Sequence, residues 1–295
     1  MALKHVVVGG GTGFIGSQLI KSLSLEGVSC TCISRMPGPN RMSWNDLERY
    51  GLPEDTSAVV NVAGQNILDP TQRWSSGFKQ NVRNSRIKTT KALADAIKST
   101  KATVFTTISG VAYYKPNDTI YTEENKCEPY DFLSRLTHDW EEAAKLSEDS
   151  NIRQVTIRSG VVLGRNGGMI KQIYLPFFLG LGGPIGTGNQ YMPWIHITDL
   201  VNMFTFALKN NKVNGILNGV APQLITNKEF TKAFATAMKR PAVIPLPSFV
   251  PRILFSDDRA KMMLEGQKVM PKRVTELGFQ YQYPNIENAC KQLVE

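Results

Sequence analysis

Apolar residues follow two patterns along the first half of the chain: short continuous runs, and longer stretches with a helical repeat. The runs have the length of buried strands and are residues 4–8, 29–34, 58–62, 103–108 and 154–158. The helical stretches between them are residues 14–25, 79–99 and 133–146. Strands that alternate with helices are typical of a parallel sheet covered on both faces. The pattern predicts an α/β fold built on a doubly wound parallel sheet.

A glycine cluster joins the first predicted strand to the first predicted helix. Residues 8–16 read VGGGTGFIG, and the glycine spacing is Gly10-x-x-Gly13-x-x-Gly16. At such a turn, backbone N–H groups and the positive end of the helix dipole face an anion, and a side chain blocks its approach. A plain glycine turn is the alternative, but the strand before the cluster and the helix and strand after it favour a Rossmann-type dinucleotide site. We expect its contacts from Gly10, Thr12, Gly13, Phe14, Ile15 and Gly16.

The end of the second predicted strand distinguishes between the two nicotinamide dinucleotides. An acidic residue at this place binds the ribose hydroxyls of NAD. Here the strand ends in Ser34-Arg35, and the next acidic residue is Asp46. A guanidinium donates paired, charge-assisted hydrogen bonds to a phosphate, whereas a carboxylate repels one. The sequence therefore favours NADP(H), with Ser34 and Arg35 at the 2′-phosphate. A surface arginine without this role is the alternative, but it leaves the missing acid unexplained.

The chain changes character after Arg158, where glycine- and proline-rich loops such as 180–193 separate short helical segments. Such a segment is typical of a part that covers the carboxyl ends of the strands and binds substrate there. We predict an NADP-binding domain at residues 1–160 and a smaller, interlocked C-terminal substrate lobe at residues 161–295. The loop at 182–190 either closes over a small polar ligand, contacted by Gln190 and Trp194, or simply turns a corner.

Length and composition exclude several classes of protein. The chain has 295 residues, 42% of them hydrophobic, which is enough to bury a full core. No apolar run is long enough to cross a bilayer, so we expect no membrane partner. The N-terminus shows no signal or presequence pattern, which favours the cytoplasm and leaves organelle import open.

Charge and cysteine content exclude two further kinds of site. The net charge is +9, but the basic residues are spread along the chain without a run of five, so we expect no nucleic-acid partner. The four cysteines lack the spacing of a metal site or a disulfide framework, so we expect reduced cysteines that pack. The expected partner is a small-molecule substrate of unknown identity, and the oligomeric state stays open.

Three further motifs resemble those of short-chain dehydrogenases/reductases. Residues 61–64 (NVAG) resemble their Asn-x-Ala-Gly element, residues 158–164 (RSGVVLG) an Arg-Pro-x-x-Val-Tyr-Gly turn, and residues 194–200 (WIHITDL) a Phe-Ile-His-Val-x-Asp element. Residues 66–68, 73–74, 85–87, 182–190 and 267–271 resemble motifs of one subgroup. This subgroup is the epimerase family proteins, which have a small C-terminal extension. The resemblance runs from residue 4 to residue 290. It implies an NADP-dependent oxidoreductase or a sugar-nucleotide epimerase.

The resemblance also implies cofactor contacts beyond the glycine cluster. The backbone of Val62 and Ala63 borders the adenosine end. Asn81 and Arg86, on the long helix behind it, face the same groove, although a solvated helix arginine is the alternative for Arg86. Val162 lies where the turn after the fifth predicted strand passes the nicotinamide.

The catalytic pattern of the superfamily is incomplete. It needs a tyrosine with a lysine four residues later on one helix face, because the ammonium anchors the ribose and assists proton transfer by the phenol. Alignment on Trp140-Glu141 puts Leu133 at the place of the tyrosine and Thr137 at that of the lysine. The place of the assisting serine reads Gly110, with Ser109 one residue away.

The candidate catalytic residues that remain follow the fourth predicted strand: Ser109, Tyr113 and Tyr114. A phenol beside Lys115 can act as an acid. The alternative is that one tyrosine packs against the cofactor and the other lies in the core. A histidine in a motif such as residues 194–196 more often supports a loop through hydrogen bonds than donates protons, and we expect this of His196.

Two functions are consistent with these residues. One is an NADP(H)-dependent oxidoreductase or epimerase, with non-standard proton chemistry, that acts on a small carbonyl or sugar-like substrate. The other is a catalytically silent NADP(H)-binding redox sensor or scaffold, which the missing tyrosine–lysine pair favours.

Overall fold

The computed structural model describes residues 3–35, 38–39 and 41–295. Its strands are β1 (His5–Gly9), β2 (Ser29–Ser34), β3 (Arg41–Ser43), β4 (Ala58–Asn61), β5 (Val104–Gly110), β6 (Ile120–Tyr121), β7 (Arg153–Ser159), β8 (Val161–Leu163), β9 (Trp194–His196), β10 (Gly215–Gly219) and β11 (Lys268–Val269). Its α-helices are α1 (Phe14–Leu25), α2 (Trp44–Tyr50), α3 (Ser76–Ala96), α4 (Phe132–Ala143), α5 (Gly168–Phe178), α6 (Ile197–Lys209), α7 (Asn227–Met238), α8 (Phe249–Phe255), α9 (Asp257–Leu264), α10 (Lys272–Glu276) and α11 (Ile286–Val294).

Seven of the strands in the described part of the chain form one parallel sheet in the order β10-β7-β5-β4-β1-β2-β3. The chain builds the sheet outward from β1 in both directions, which confirms the doubly wound Rossmann-type fold. The five predicted strands are β1, β2, β4, β5 and β7. The sequence pattern missed β3, which has three residues, and β10, which begins and ends in glycine.

The alternation of side chains along β1 distributes the core between the two faces of the sheet. Val6 and Val8 pack with α1 and α6 on one face, and Val7 packs with α2 and α3 on the other. All three valines are fully buried. Burial of each such side chain contributes about 1.5–3 kcal/mol, which explains the continuous apolar run in the sequence.

The C-terminal part of the chain has a second core and also completes the first. Its core joins α5, α7 and α11 through large apolar side chains, among them Phe177, Trp194, Phe230, Phe234 and Leu293. Two elements after residue 160, α6 and β10, belong to the main sheet and its cover. Two small parallel pairs, β6 with β11 and β8 with β9, add further connections. None of the described helices is long and apolar enough to span a membrane.

Candidate functional site

The glycine cluster makes a tight turn at the carboxyl end of β1. Gly10 has a φ of +78°, and its N–H donates to the Ile33 carbonyl oxygen at 2.9 Å. A Cβ on Gly10 would lie 2.7 Å from the Ala63 backbone, and a Cβ on Gly16 would lie 2.4 Å from the Gly10 carbonyl oxygen. The fold itself therefore requires glycine at both positions.

Gly13 is not required by the fold in the same way. Its φ of −76° suits any residue, and apart from its chain neighbours only one described atom would lie within 4 Å of a Cβ, the Gly10 carbonyl oxygen at 3.2 Å. Gly13 is the exposed N-cap of α1, where no described side chain caps the helix and the first turn holds no acidic residue. Uncapped N–H groups at the positive end of a helix form an anion site. The space over Gly13 suits a phosphate.

Phe14 connects the glycine cluster to the C-terminal part of the chain. Its ring lies against Gly164 and Gly167, and a Cβ on Gly167 would lie 2.3 Å from the ring. Ile15 is half-buried against the sheet core, and Thr12 is exposed at the surface of the turn. The cluster and the loop between β8 and α5 are therefore packed into one unit.

A cation, and no acidic residue, follows β2. Ser34 is buried and pairs across the ladder with Ser43, and the exposed Arg35 comes next. Asp46 accepts hydrogen bonds from the Ser43 hydroxyl at 2.7 Å and from its N–H at 2.8 Å, and these bonds lower the pKa of the carboxyl. Asp46 closes the capping box of α2, so its carboxylate is already engaged within the protein.

Val62 and Ala63 leave β4 and lie against the glycine cluster. The Val62 N–H donates to the Gly9 carbonyl oxygen at 2.9 Å, and the Ala63 N–H donates to Asn61 Oδ1 at 3.1 Å. Asn61 is fully buried and donates to Thr90 Oγ1 on α3 at 2.8 Å. The structure thus brings these two residues together with the glycine cluster, at one edge of the sheet.

Helix α3 holds Gln65, which follows this segment, through two hydrogen bonds. Ser85 Oγ accepts the Gln65 N–H at 2.9 Å, and Arg86 Nη1 donates to the Gln65 carbonyl oxygen at 3.0 Å. The Arg86 guanidinium lies 5.0 Å from the centroid of the Trp140 ring, and burial lowers its pKa to about 10. Arg86 is therefore not a solvated helix arginine. Asn81 lies one turn before Ser85 and is exposed.

A buried ion pair lies below the end of the sheet. Arg158 at the end of β7 donates from Nε and Nη2 to the two carboxylate oxygens of Glu141 on α4, each at 2.8 Å. Burial opposes the charge of Arg158, yet Glu141 raises its pKa above the ordinary value. Ser109 donates to the same carboxylate at 2.7 Å. The structure thus places Ser109 in contact with this ion pair.

Tyr114 lies in the core and extends the ion-pair network. It is fully buried, and its hydroxyl accepts a hydrogen bond from Arg158 Nη1 at 3.0 Å. The same hydroxyl lies 2.9 Å from Asn218 Oδ1 and 3.1 Å from the Thr122 carbonyl oxygen. Burial raises the pKa of this phenol, because its anion is poorly solvated there. Every side of the Tyr114 hydroxyl is occupied by protein.

Tyr113 differs from its neighbour in burial and in partners. Its ring is half-buried between the Arg158 guanidinium, 3.3 Å from the ring centroid, and the His138 ring, stacked at 4.3 Å. The ring nitrogens of His138 lie 2.8 Å from the Ser134 carbonyl oxygen and 2.7 Å from that of Cys127. No hydrogen bond to another described residue engages the Tyr113 hydroxyl. The ring is fixed while its hydroxyl stays available.

The positions at which the superfamily carries its proton-transfer groups lie close together here. A Cβ on Gly110 would lie 4.0 Å from Thr137 Oγ1, and that hydroxyl donates to the Leu133 carbonyl oxygen at 2.9 Å. Leu133 and Thr137 are both buried on α4. None of the three offers a phenol or an amine. Val162 lies half-buried on β8, opposite Ile195 of β9.

The chain matches two known sequence families. Residues 6–218 match the NAD dependent epimerase/dehydratase family, and residues 246–293 match a domain of unknown function, DUF1731. The chain belongs to the NAD dependent epimerase/dehydratase family. The resemblance stated from the sequence motifs is thereby confirmed.

Individual relatives extend this family match over the whole chain. The epimerase family protein SDR39U1 of Bos taurus is 50% identical over 294 residues, which cover 98% of this chain and 99% of that protein. A chloroplastic SDR39U1 homologue of Arabidopsis thaliana is 33% identical, with 98% and 86% covered. The crystal structure of human epimerase family protein SDR39U1 (isoform 2) with NADPH is similar at a TM-score of 0.96 and 48% identity, with 98% of each chain covered.

The C-terminal extension of this epimerase family chain reaches back to the β4 side of the site. Asp258 accepts hydrogen bonds from Lys79 Nζ at 2.8 Å and Trp74 Nε1 at 2.9 Å. Arg259 is 2% exposed and donates to the Asp69 carbonyl oxygen at 3.0 Å. We term this contact, between α9 and residues 67–79, the latch. It joins the C-terminal extension to the segment that follows β4.

The latch is expected to open in acid. Lys79, and after it Trp74, holds the pKa of Asp258 below its ordinary value of about 3.9. A lowered carboxyl pKa stabilises the contact above that value, and the stabilisation is lost as pH falls through the lowered pKa. Hydrogen exchange of α9, corrected for intrinsic rates, should show constant protection down to about pH 4 and a loss below it.

The control for the latch is the neighbouring residue. Asp258→Ala should weaken the protection of α9 at neutral pH, whereas Asp257→Ala should not. Both carboxylates lie in the first turn of α9, but Asp257 pairs with the exposed Arg252. Equal protection in the two variants would show that the pairing with Lys79 and Trp74 does not hold α9.

The motif at residues 194–200 attaches the rest of the extension. His196 Nε2 lies 2.9 Å from Gln292 Oε1, and its ring lies 4.1 Å from that of Tyr283. Asp199 accepts the N–H groups of Gln282 at 2.7 Å and Tyr283 at 2.9 Å. Burial lowers the pKa of His196 and raises that of Asp199. Both side chains anchor the extension in this structure.

In the loop at 182–190 and just after it, the two side chains considered for a ligand are engaged within the protein. Gln190 Nε2 donates to the Ile185 carbonyl oxygen at 3.0 Å and to that of Met263 at 2.9 Å. Trp194 is fully buried, and its Nε1 donates to the Gln223 carbonyl oxygen at 3.3 Å. Gln190 therefore holds the loop against the extension, whereas Trp194 belongs to the core of the C-terminal part.

Proposed function

We propose that this chain binds NADP(H) over the glycine cluster and acts with it as an oxidoreductase or epimerase on a small carbonyl or sugar-like substrate. The observation that carries the proposal is the free space over Gly13, at an uncapped helix N-terminus. Arg35 adds a cation at the place that selects the 2′-phosphate. The crystal structure of the human relative with NADPH supports the same cofactor here.

Each part of the cofactor has a matching segment at this edge of the sheet. The N–H groups of the first turn of α1 bind the diphosphate, and Ser34 with Arg35 binds the 2′-phosphate. Val62 and Ala63 border the adenosine, with Arg86 fixing the loop that follows them and Asn81 exposed on the same helix. We assign Val162 to the nicotinamide side, together with Phe14, whose ring packs against the loop that follows Val162.

Equilibrium titration of the purified chain with NADPH, followed by cofactor fluorescence, tests the proposal. We expect a saturable signal with one site per chain. A signal that does not saturate, or that survives the loss of the anion site described in the Discussion, would contradict the proposal.

For the chemistry we propose Tyr113 as the group that exchanges a proton with the substrate. Bound NADPH supplies a hydride. The Tyr113 ring is clamped by Arg158 and His138 while its hydroxyl stays available. Ser109 and Tyr114 then serve as positioning residues, because both hydroxyls orient the Arg158–Glu141 pair from within the protein.

Tyr113→Phe is expected to slow turnover about a hundred- to ten-thousandfold, the usual effect of losing a general acid. Affinity for NADPH should stay unchanged, because the ring and its clamp remain. A screen of carbonyl compounds that follows NADPH oxidation supplies the substrate for this assay. Tyr50→Phe, at an exposed tyrosine on α2, is the control. Turnover that survives Tyr113→Phe would show that another group exchanges the proton.

A catalytically silent NADP(H) sensor or scaffold is the second candidate function. It is favoured by Gly110, Leu133 and Thr137, which occupy the proton-transfer positions of the superfamily. In that case NADPH binds tightly, and no compound in a broad carbonyl screen is turned over. The latch then offers the element that binding would reposition, measurable as a change in the protection of α9.

A further inference from the structure

Exposed apolar side chains are concentrated on one part of the C-terminal lobe. Of the fourteen large apolar side chains that the described residues leave exposed, ten lie in residues 175–181 and 243–262. They are Leu175, Phe178, Leu179, Leu181, Val243, Ile244, Phe249, Ile253, Leu254 and Met262. A monomeric protein rarely leaves such a concentration exposed without a partner.

The two stretches meet where residues 178–182 contact residues 240–244, and together they are termed here the apolar patch. The Arg240 Nε donates to the Phe178 carbonyl oxygen at 2.8 Å, and the Ile244 N–H donates to that of Gly182 at 3.4 Å. Helix α5 directs its other side, including Phe177, into the core of the lobe. The exposed apolar residues are therefore additional to those that the lobe needs for its own packing.

The charge around the patch is predominantly basic, although the second stretch itself contains Asp257, which pairs with the exposed Arg252, and Asp258, which pairs with Lys79. Residues 160–256 contain nine Lys and Arg but two acidic residues, Asp199 and Glu229. Asp199 is fully buried, and Glu229 closes the capping box of α7. Within the patch, the Arg240 guanidinium lies 5.1 Å from the centroid of the Phe178 ring. Lys171 is exposed one turn before Leu175, on the same side of α5.

We propose that the apolar patch binds the surface of an anionic membrane. The exposed apolar side chains of the patch enter the boundary between headgroups and acyl chains, and the surrounding Lys and Arg side chains contact lipid phosphates. A second copy of the chain is disfavoured as the occupant, because it brings another net charge of +9 against a basic surface. Surface contact of this kind needs no membrane-spanning helix.

Vesicle flotation of the full chain tests this proposal. The probes are phosphatidylcholine vesicles and vesicles of the same lipid with a minority of phosphatidylglycerol. The test variant is Val243→Ser with Ile253→Ser, whose side chains are 79% and 76% exposed. The control variant is Leu25→Ser with Tyr50→Ser, which are 81% and 75% exposed at the C-terminal ends of α1 and α2. Circular dichroism and NADPH titration check that both variants fold.

The wild type should float with the anionic vesicles and not with the neutral ones, and high salt should release it. The test variant should bind about tenfold more weakly, whereas the control variant should match the wild type. Three results would overturn the proposal. They are absence of flotation with anionic vesicles, equal binding of the two variants, and a concentration-dependent dimer that the test variant alone loses, which would assign the patch to a second copy.

Discussion

Gly13→Val abolishes NADPH binding with only modest damage to the fold: this is the largest effect that we expect on the cofactor site. The valine side chain occupies the space over the N-terminus of α1, where the diphosphate belongs. We expect modest damage to the fold, because a Cβ there would lie 3.2 Å from the Gly10 carbonyl oxygen, which must shift by a few tenths of an ångström, while the φ of −76° suits any residue. Circular dichroism and thermal melting report the fold, and fluorescence titration reports NADPH.

Two further glycines serve as controls for this result. Gly77→Val changes an exposed glycine in the first turn of α3, where a Cβ meets only Ser75 Oγ at 3.9 Å among the described residues beyond its neighbours. It should leave NADPH binding unchanged. Gly16→Ala should instead destabilise the turn itself, since its Cβ lies 2.4 Å from a backbone oxygen. A folded Gly13→Val variant that binds NADPH normally would show that the glycine cluster is only a turn and not a cofactor site.

Arg158→Met is expected to lower the free energy of unfolding by about 3–5 kcal/mol, because it leaves the Glu141 carboxylate buried without its cation. The guanidinium forms the bidentate pair with Glu141 and donates to the Tyr114 hydroxyl, and Ser109 donates to the same carboxylate. Urea denaturation followed by circular dichroism measures the loss. The double variant Arg158→Met, Glu141→Met should recover part of it, since no unpaired charge remains.

A surface ion pair provides the comparison for Arg158. Lys145 and Glu142 pair on α4 and the turn after it, with both side chains more than half exposed. Lys145→Met should therefore cost less than about 1 kcal/mol, as solvent screens such pairs. If Arg158→Met costs no more than Lys145→Met, the buried network does not hold the end of the sheet.

The strands of the sheet could be predicted where they are buried throughout, because each then appears in the sequence as a continuous apolar run. Strands β1 and β4 are buried throughout, so both read as continuous apolar runs between turn signals. Strand β10 could not be found in this way, because its five residues include glycine at both ends and one asparagine. The side chain of that asparagine, Asn218, meets Tyr114 from 104 positions away.

The same distinction, between contiguous motifs and long-range contacts, applies to the candidate site. The glycine cluster is a contiguous motif, so its geometry could be inferred from spacing alone. The different roles of Tyr113 and Tyr114 could not be inferred from the sequence. They depend on tertiary contacts, since Tyr114 contacts Asn218 and Tyr113 stacks on His138. The latch was also missed, because Trp74 and Asp258 lie 184 positions apart. Residues 73–74 resemble a family motif, but the motif does not indicate which residues they contact.

The most direct test of the cofactor assignment is the preference for NADPH over NADH in the wild type and in Arg35→Ala, with Arg135→Ala at an exposed arginine on α4 as control. A charged bidentate partner contributes about 1.5–3 kcal/mol, or about ten- to a hundredfold in affinity. The wild type and the control should therefore prefer NADPH by that factor. Arg35→Ala should lose most of the preference while its NADH affinity stays the same. Equal wild-type affinities, or a preference that survives Arg35→Ala, would contradict the account.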